Sequence, residues 1–212
     1  MALHPSSIAL HDLAARTLVG AYRSRALSRV EVAHAGLAHI DRWEPHLHAT
    51  YLLRPEQALE QARASEQRWL QGAPLGALDG VPTTIKENIA TQGDPVPLGT
   101  AAVTLVPAAA DAPPAARLRE AGAVLITKTT MPDYGMLSSG LSSFHALARN
   151  PWDLRTTPGG SSAGGGAAAA AGYGPLHIGT DIGRSQRLPA GGCGILSLKP
   201  SRGRVPSDPP ST

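Results

Sequence analysis

The chain has a single cysteine, Cys193, so no disulfide can close within it. Cys193 stands in PAGGCGI with no histidine in an obvious partner motif, and a buried structural thiol is expected rather than a reactive one. Aromatic residues make up only 4% of the sequence, with one phenylalanine, so a core has to be built mainly from Ala, Val, Leu and Ile. No run of about 18 apolar residues occurs, which excludes an ordinary membrane-spanning helix. The opening MALHPSSIALHDLAARTL lacks a basic start followed by a continuous apolar segment. A soluble, cytoplasmic protein is the expectation, with no membrane partner. The net charge of +3 is small and scattered, so no nucleic-acid partner is expected either. P-loop and dinucleotide fingerprints are missing, because the run Gly164–Gly166 lacks the spacing that would make one. Eight histidines fall into no ligand motif: His34 and His39 share a helical face poorly, His46 and His48 have no third partner, and His145 and His177 stand alone. Neither a metal nor any other cofactor is expected, and no internal repeat is visible.

What is present fits one sizeable domain. The chain has 212 residues, 42% of them hydrophobic, and 23 glycines and 19 prolines that suit many tight loops. Apolar periodicity predicts a helix over 8–25 with Leu10, Leu13, Ala14 and Leu18 on one face. Ser28 and Glu31 form an S-x-x-E capping box for a second helix that carries Val32, Ala35, Leu37, Ile40 and Trp43 and stops before Pro45. Pro55 opens a third, running to about Gln71 with Gly72 beyond its end. A short strand over 80–85 ends at Lys86. A loop opens at Asn88. A helix over 113–121 ends at Gly122, and a buried strand over 123–126 follows, so the strand–helix–strand order predicts parallel pairing. Lys128 reads as a surface or loop-anchoring residue. Pro132 starts a short helix, and Met131 and Met136 read as core, with a pocket lining as the alternative. Residues 162–172 predict a helix of small side chains packed close to the sheet, and 173–179 the next strand.

The richest stretch runs from Thr157 to Pro206. Ser161 follows Gly159-Gly160, and Ser185 follows Gly183-Arg184. A serine hydroxyl needs a base to take its proton and donors to hold the oxyanion it creates, and glycine-rich backbone supplies close-approaching N–H groups. Lys86, in DGVPTTIKEN, is the candidate base. From a reference pKa of about 10.4, keeping it neutral at pH 7 opposes roughly 4–5 kcal/mol and requires burial or a nearby cation. Composition alone also admits a turn, a linker or a phosphate cradle for the loop, and a surface ion for Lys86.

The motifs narrow this. GVPTTIKEN, DAPPAARLREAGAVLITKTTMPDYG, ARNPWDLRTTPGG, GGSSAGG, GTDIGRSQRLPA and CGILSLKPSRGRVP occur in this order, and together they resemble the amidase-signature family over roughly residues 10–206. The resemblance implies an α/β fold with a mixed central sheet flanked by helices, incomplete in this chain because family chains are usually more than twice as long. It makes residues 1–212 the N-terminal portion of one amidase domain, with leading helices over about 8–72 and a catalytic part over about 78–206. It implies hydrolysis of a carboxylic amide to acid and amine through an acyl-enzyme on Ser185. Ser161 is then the bridging serine after a cis peptide and Lys86 the base. Ile182, Gly183 and Arg184, with Ser185, offer oxyanion donors, and Asp181 and Arg187 support the loop. Arg184 stands where the family usually has glycine, so a positive φ there would cost on the order of 1–2 kcal/mol. Gln186, Gly192, Ser197 and Arg202 also depart from the family pattern. The implied partner is a small-molecule amide, with a homo-oligomer or a complementing C-terminal half left open. The alternatives are an amidotransferase A subunit of the glutaminyl/aspartyl-tRNA type, which needs further partner chains, and an inactive truncated homologue.

Overall fold

A computed structural model describes residues 9–206. Among them a four-stranded sheet carries helices on both faces. Helix α1 spans Ala15–Arg23, α2 Arg29–Leu47, α3 Pro55–Leu70, α4 Pro113–Glu120, α5 Ala163–Ala170 and α6 Arg187–Cys193. Strand β1 spans Thr50–Leu53, β2 Pro82–Lys86, β3 Val124–Thr129 and β4 Leu176–Ile178. The spatial order is β1-β3-β2-β4, with β1 antiparallel to β3 and the other pairs parallel. The β2–α4–β3 unit is the predicted parallel crossover, and β1 makes the sheet mixed.

Alternation along β3 sorts the core. Val124 and Ile126 face α2, α3 and α5, meeting Ala33, Leu37, Ile40, Ala58, Ala62 and Ala167. Leu125 points the other way, with Ile85, to meet Ala115 and Leu118 of α4. Each fully buried Leu or Ile contributes about 1.5–3 kcal/mol. Every residue of β2 is buried although only Pro82 and Ile85 are apolar, so its threonines need partners: Thr84 Oγ1 lies 2.9 Å from His177 Nδ1 on β4, and Thr83 Oγ1 donates to Val81 O.

Several expectations shift. Helix α1 begins only at Ala15, because Leu13 and Ala14 adopt extended backbone and split off a single 3-10 turn over Leu10–Asp12. That turn docks on α2 through His11 stacked on His39, with ring centroids 3.6 Å apart. Residue 8 lies outside the described residues. Helix α2 continues through Pro45 to Leu47. Only the last turn follows the proline, so the lost N–H bond is cheap, and the extension buries Leu47. Trp43, expected inward, is exposed. Ser28 caps α2 by accepting from the Val30 and Glu31 N–H groups, but its own hydroxyl donates to Glu66 Oε1 of α3 at 2.6 Å. Strand β1 carries no sequence signal, since TYLL is too short to show a period. Strand β4 covers only Leu176–Ile178, and Tyr173 turns into the core. Lys128 is no surface residue: it lies inside β3, and its Nζ donates to Ile89 O and Thr91 Oγ1, both at 2.8 Å, anchoring the loop after β2. Met131 is buried, whereas Met136 is exposed. Cys193 is buried, and burial pushes its thiol up to about 11.

The alanine–glycine helix α5 has to lie very close to the sheet. A Cβ on Gly164 would sit 2.1 Å from Ala49 O and 2.5 Å from Thr130 N, positions no side chain tolerates. At Gly165, the next residue, the nearest atom would be 3.7 Å away. Gly164→Ala is therefore expected to destabilise by about 3 kcal/mol or more. Gly165→Ala should stay within about 1 kcal/mol of the parent, on the stabilising side. Paired urea denaturation curves check both.

Candidate active site

Strand β2 delivers Lys86 to its C-terminal end, where the residue is 1% exposed. Two hydroxyls meet its Nζ: Ser161 Oγ at 2.8 Å and Thr180 Oγ1 at 2.9 Å. Thr180 Oγ1 also accepts from Asn88 Nδ2 at 3.3 Å. Desolvation pushes the Lys86 pKa down to about 8, outweighing the opposing pull of the Glu87 and Asp181 charges. A neutral amine at Nζ has one lone pair and two protons. It can accept the Ser161 proton while donating to Thr180, which is the arrangement a base needs.

Ser161 is held from both sides. It follows a cis Gly160–Ser161 peptide just ahead of α5. A Cβ on Gly160 would meet Leu137 O and Ser139 N at 2.5 Å, so only glycine lets the two segments touch. Ser162 then ties this segment to the next loop. Its hydroxyl donates to Thr180 O and accepts from the Thr180 N–H, and its N–H donates to Ser185 O at 2.9 Å.

The 181–187 turn is organised by Asp181. Its carboxylate accepts from the backbone N–H of Arg184 at 2.7 Å and of Gln186 at 3.1 Å, and from Arg187 Nη2 at 2.9 Å. Arg187 and these N–H groups hold the Asp181 carboxyl far below the usual range. Ser185 is half-buried, while Ile182, Gly183 and Arg184 are exposed. Among the described residues, the N–H groups of Ile182, Gly183 and Ser185 engage no acceptor, while that of Arg184 is occupied by Asp181. Arg184 sits at φ 79, the left-handed region, as a non-glycine residue.

Lys86 and Ser161 therefore meet directly. Asp181 and Arg187 meet each other, and Ser185 joins through its backbone. Its hydroxyl makes no hydrogen bond with Ser161 among the described residues. Sequence reasoning passes over Thr180, Asn88 and Ser162. All three lie inside or beside the ordered motifs, and the signal for them is small polar residues flanking Lys86, Ser161 and Asp181. No three His, Cys, Asp or Glu side chains gather into a metal-holding set among the described residues, and no helix there is long and apolar enough to cross a membrane.

A buried lysine amine on a serine hydroxyl, with a glycine-rich turn beside it, brings together groups that acyl-transfer chemistry can use. The Amidase family model matches residues 31–210, and the chain belongs to that family. It is 42% identical over 196 residues to the A subunit of the glutamyl-tRNA(Gln) amidotransferase of Chloroflexus aurantiacus, covering 92% of this chain and 40% of that one. It is 40% identical over 187 residues to the indoleacetamide hydrolase of Bradyrhizobium diazoefficiens, covering 88% of this chain and 36% of the relative. An amidase crystal structure superposes with TM-score 0.87 at 31% identity, covering 92% of this chain and 45% of that structure. The chain thus spans less than half the length of these relatives.

The positive φ at Arg184 costs about 1–2 kcal/mol that glycine would avoid. After allowing for glycine's greater freedom in the unfolded chain, Arg184→Gly is expected to raise the unfolding free energy by about 1 kcal/mol. Chemical denaturation of the two proteins reads this directly.

Proposed function

We propose that the protein is an amide hydrolase working by Ser–Ser–Lys acyl transfer. The observation that carries this reading is the 2.8 Å contact between a buried lysine amine and the Ser161 hydroxyl. Neutral Lys86 takes a proton from Ser161, which takes one from Ser185. Ser185 Oγ attacks the amide carbonyl, and the oxyanion is held by free N–H groups of the 182–185 turn. Ile182, Gly183 and Ser185 serve here, and Arg184 joins only if Asp181 releases its N–H. The C–N bond then breaks as Ser161 passes its proton to the leaving amine and regains one from the Lys86 ammonium. Neutral Lys86, through Ser161, next takes a proton from the water that attacks the acyl-enzyme, and that proton returns to Ser185 as the acid leaves. Asp181 and Arg187 hold the turn, and Thr180 holds the Lys86 amine.

In this reading the chain is the N-terminal portion of a single amidase domain, with leading helices to about residue 72 and the catalytic part from about 78. Ile182, Leu196 and Leu198 are fully or largely exposed, apolar surface that a complementing half or a second copy would cover. The substrate is a small carboxylic amide. A second reading, an amidotransferase A subunit, is favoured by the similarity to such proteins. Amide hydrolysis that appears only when partner chains are added would select it.

The test is labelling of the purified chain with a fluorophosphonate, mapped by mass spectrometry. Label is expected on Ser185, and Lys86→Ala should abolish it. Since Lys86 is active only when unprotonated, the labelling rate should rise with pH through about 8 and level off above it. A folded chain that takes no label, or labels equally well without Lys86, contradicts the proposal.

A further inference from the structure

Glu87, directly after the candidate base, is a fully buried carboxylate that the acyl-transfer scheme does not use. Its Oε1 accepts from the Met131 N–H at 3.0 Å, and its Oε2 lies 2.9 Å from His145 Nε2. Met131 and His145 bracket the 131–145 loop, the first part of the long connection between β3 and α5. The middle of that loop is what packs against the bridging serine. A Cβ on Gly135 would lie 3.2 Å from Ser161 Oγ, and Leu137 and Ser139 press on Gly160 so closely that a Cβ there would meet them at 2.5 Å. The ends are seated firmly. Tyr51 of β1 and Phe144 stack edge-on against the His145 ring at 5.3 and 4.9 Å. Asp133 accepts from the Ser143 N–H at 2.8 Å, closing the loop on itself. The Glu87 N–H, meanwhile, donates to Thr129 O on β3, so the carboxylate is fixed to the sheet that carries Lys86.

We propose that Glu87 is a positioning residue for Ser161: one buried carboxylate holds both ends of the 131–145 loop, and the middle of the loop presses Ser161 onto the Lys86 amine. The proposal rests on the acyl-transfer reading for its kinetic consequence but not for its structural one. A carboxylate suits the task because it has two oxygens and accepts at both. It is also placed so that neither loop end can lift without leaving a buried charge short of a partner.

Two readouts test it on the full chain. The first is hydrogen–deuterium exchange. Glu87→Ala is expected to speed exchange across 131–145 and at 160–162, while Glu87→Gln, which still accepts from Met131 and can donate to an unprotonated His145 Nε2, should leave both near the parent pattern. The second is fluorophosphonate labelling of Ser185. Glu87→Ala should lower the maximal labelling rate by about tenfold or more with the half-saturating probe concentration unchanged, since misplacing a proton carrier slows the step rather than the encounter. Glu87→Gln should recover most of that rate. Exchange and labelling at parent levels in a folded Glu87→Ala protein overturn the proposal, as does Glu87→Gln behaving like Glu87→Ala. If the parent chain takes no label, the acyl-transfer reading fails, and the exchange pattern alone still decides whether Glu87 seats Ser161. Should Glu87→Ala fail to fold, His145→Ala, which frees one loop end, carries the same expectations.

Discussion

The burial of one lysine amine is the constraint on which the rest of this site depends. An ammonium group sealed at the end of β2 loses its water, and only geometry that suits the neutral amine compensates. Two lysines on neighbouring strands illustrate the difference. Lys86 and Lys128 are both buried, and desolvation brings both down to about 8. Lys128 meets a backbone carbonyl and a threonine hydroxyl that itself donates to Asp94, surroundings that accept and so tolerate a cation. Lys86 meets two hydroxyls, each able to give or take a proton. At pH 7 a pKa near 8 leaves the neutral form about 1.4 kcal/mol uphill, against roughly 4–5 kcal/mol for an exposed lysine.

Backbone proximity makes that contact available. Helix α5 lies close enough to β3 and β1 that Gly164 nearly touches Ala49 O, and the segment ahead of it runs against Leu137 and Ser139 at Gly160. Both approaches need residues without side chains, which is why the stretch is so rich in glycine. Ser162 then links its own segment to the 180–185 loop through Thr180 and Ser185, so the candidate nucleophile is registered to the Lys86–Ser161 pair through backbone rather than by its own hydroxyl. The strain at Arg184 stands out in this setting: Asp181 occupies its N–H and holds the turn in a conformation that glycine would adopt freely.

Much of this was legible in the residues. The ordered motifs pointed to the family and singled out Lys86 and Ser161, which the fold brings into contact, and the parallel β2–α4–β3 unit followed from periodicity and punctuation. The glycines after α3 and α4 ended those helices as expected, with Gly72 and Gly122 both at positive φ. What stayed hidden depended on tertiary contact. Strand β1 is four residues long and exists because β3 offers it an edge. Pro45 stays inside α2 because Leu47 has a core to enter. Lys128 looks like any charged residue until Ile89 and Thr91 fold over it. Glu66 answers Ser28 from another helix, and no local spacing encodes that. Thr180 was invisible for a similar reason: a threonine carries no chemical signature until a lysine from another strand reaches it.

The ionisation of Lys86 tests the account most directly. Selective carbon-13 labelling of lysine Cε, followed by NMR titration with Lys86 assigned by its loss in Lys86→Met, reports the charge without requiring any substrate. A midpoint near 8 is expected. A midpoint at the ordinary lysine value of about 10.4 would mean that the amine is solvated and cationic at neutral pH, and the Lys86–Ser161 contact could not then serve as a base and its relay.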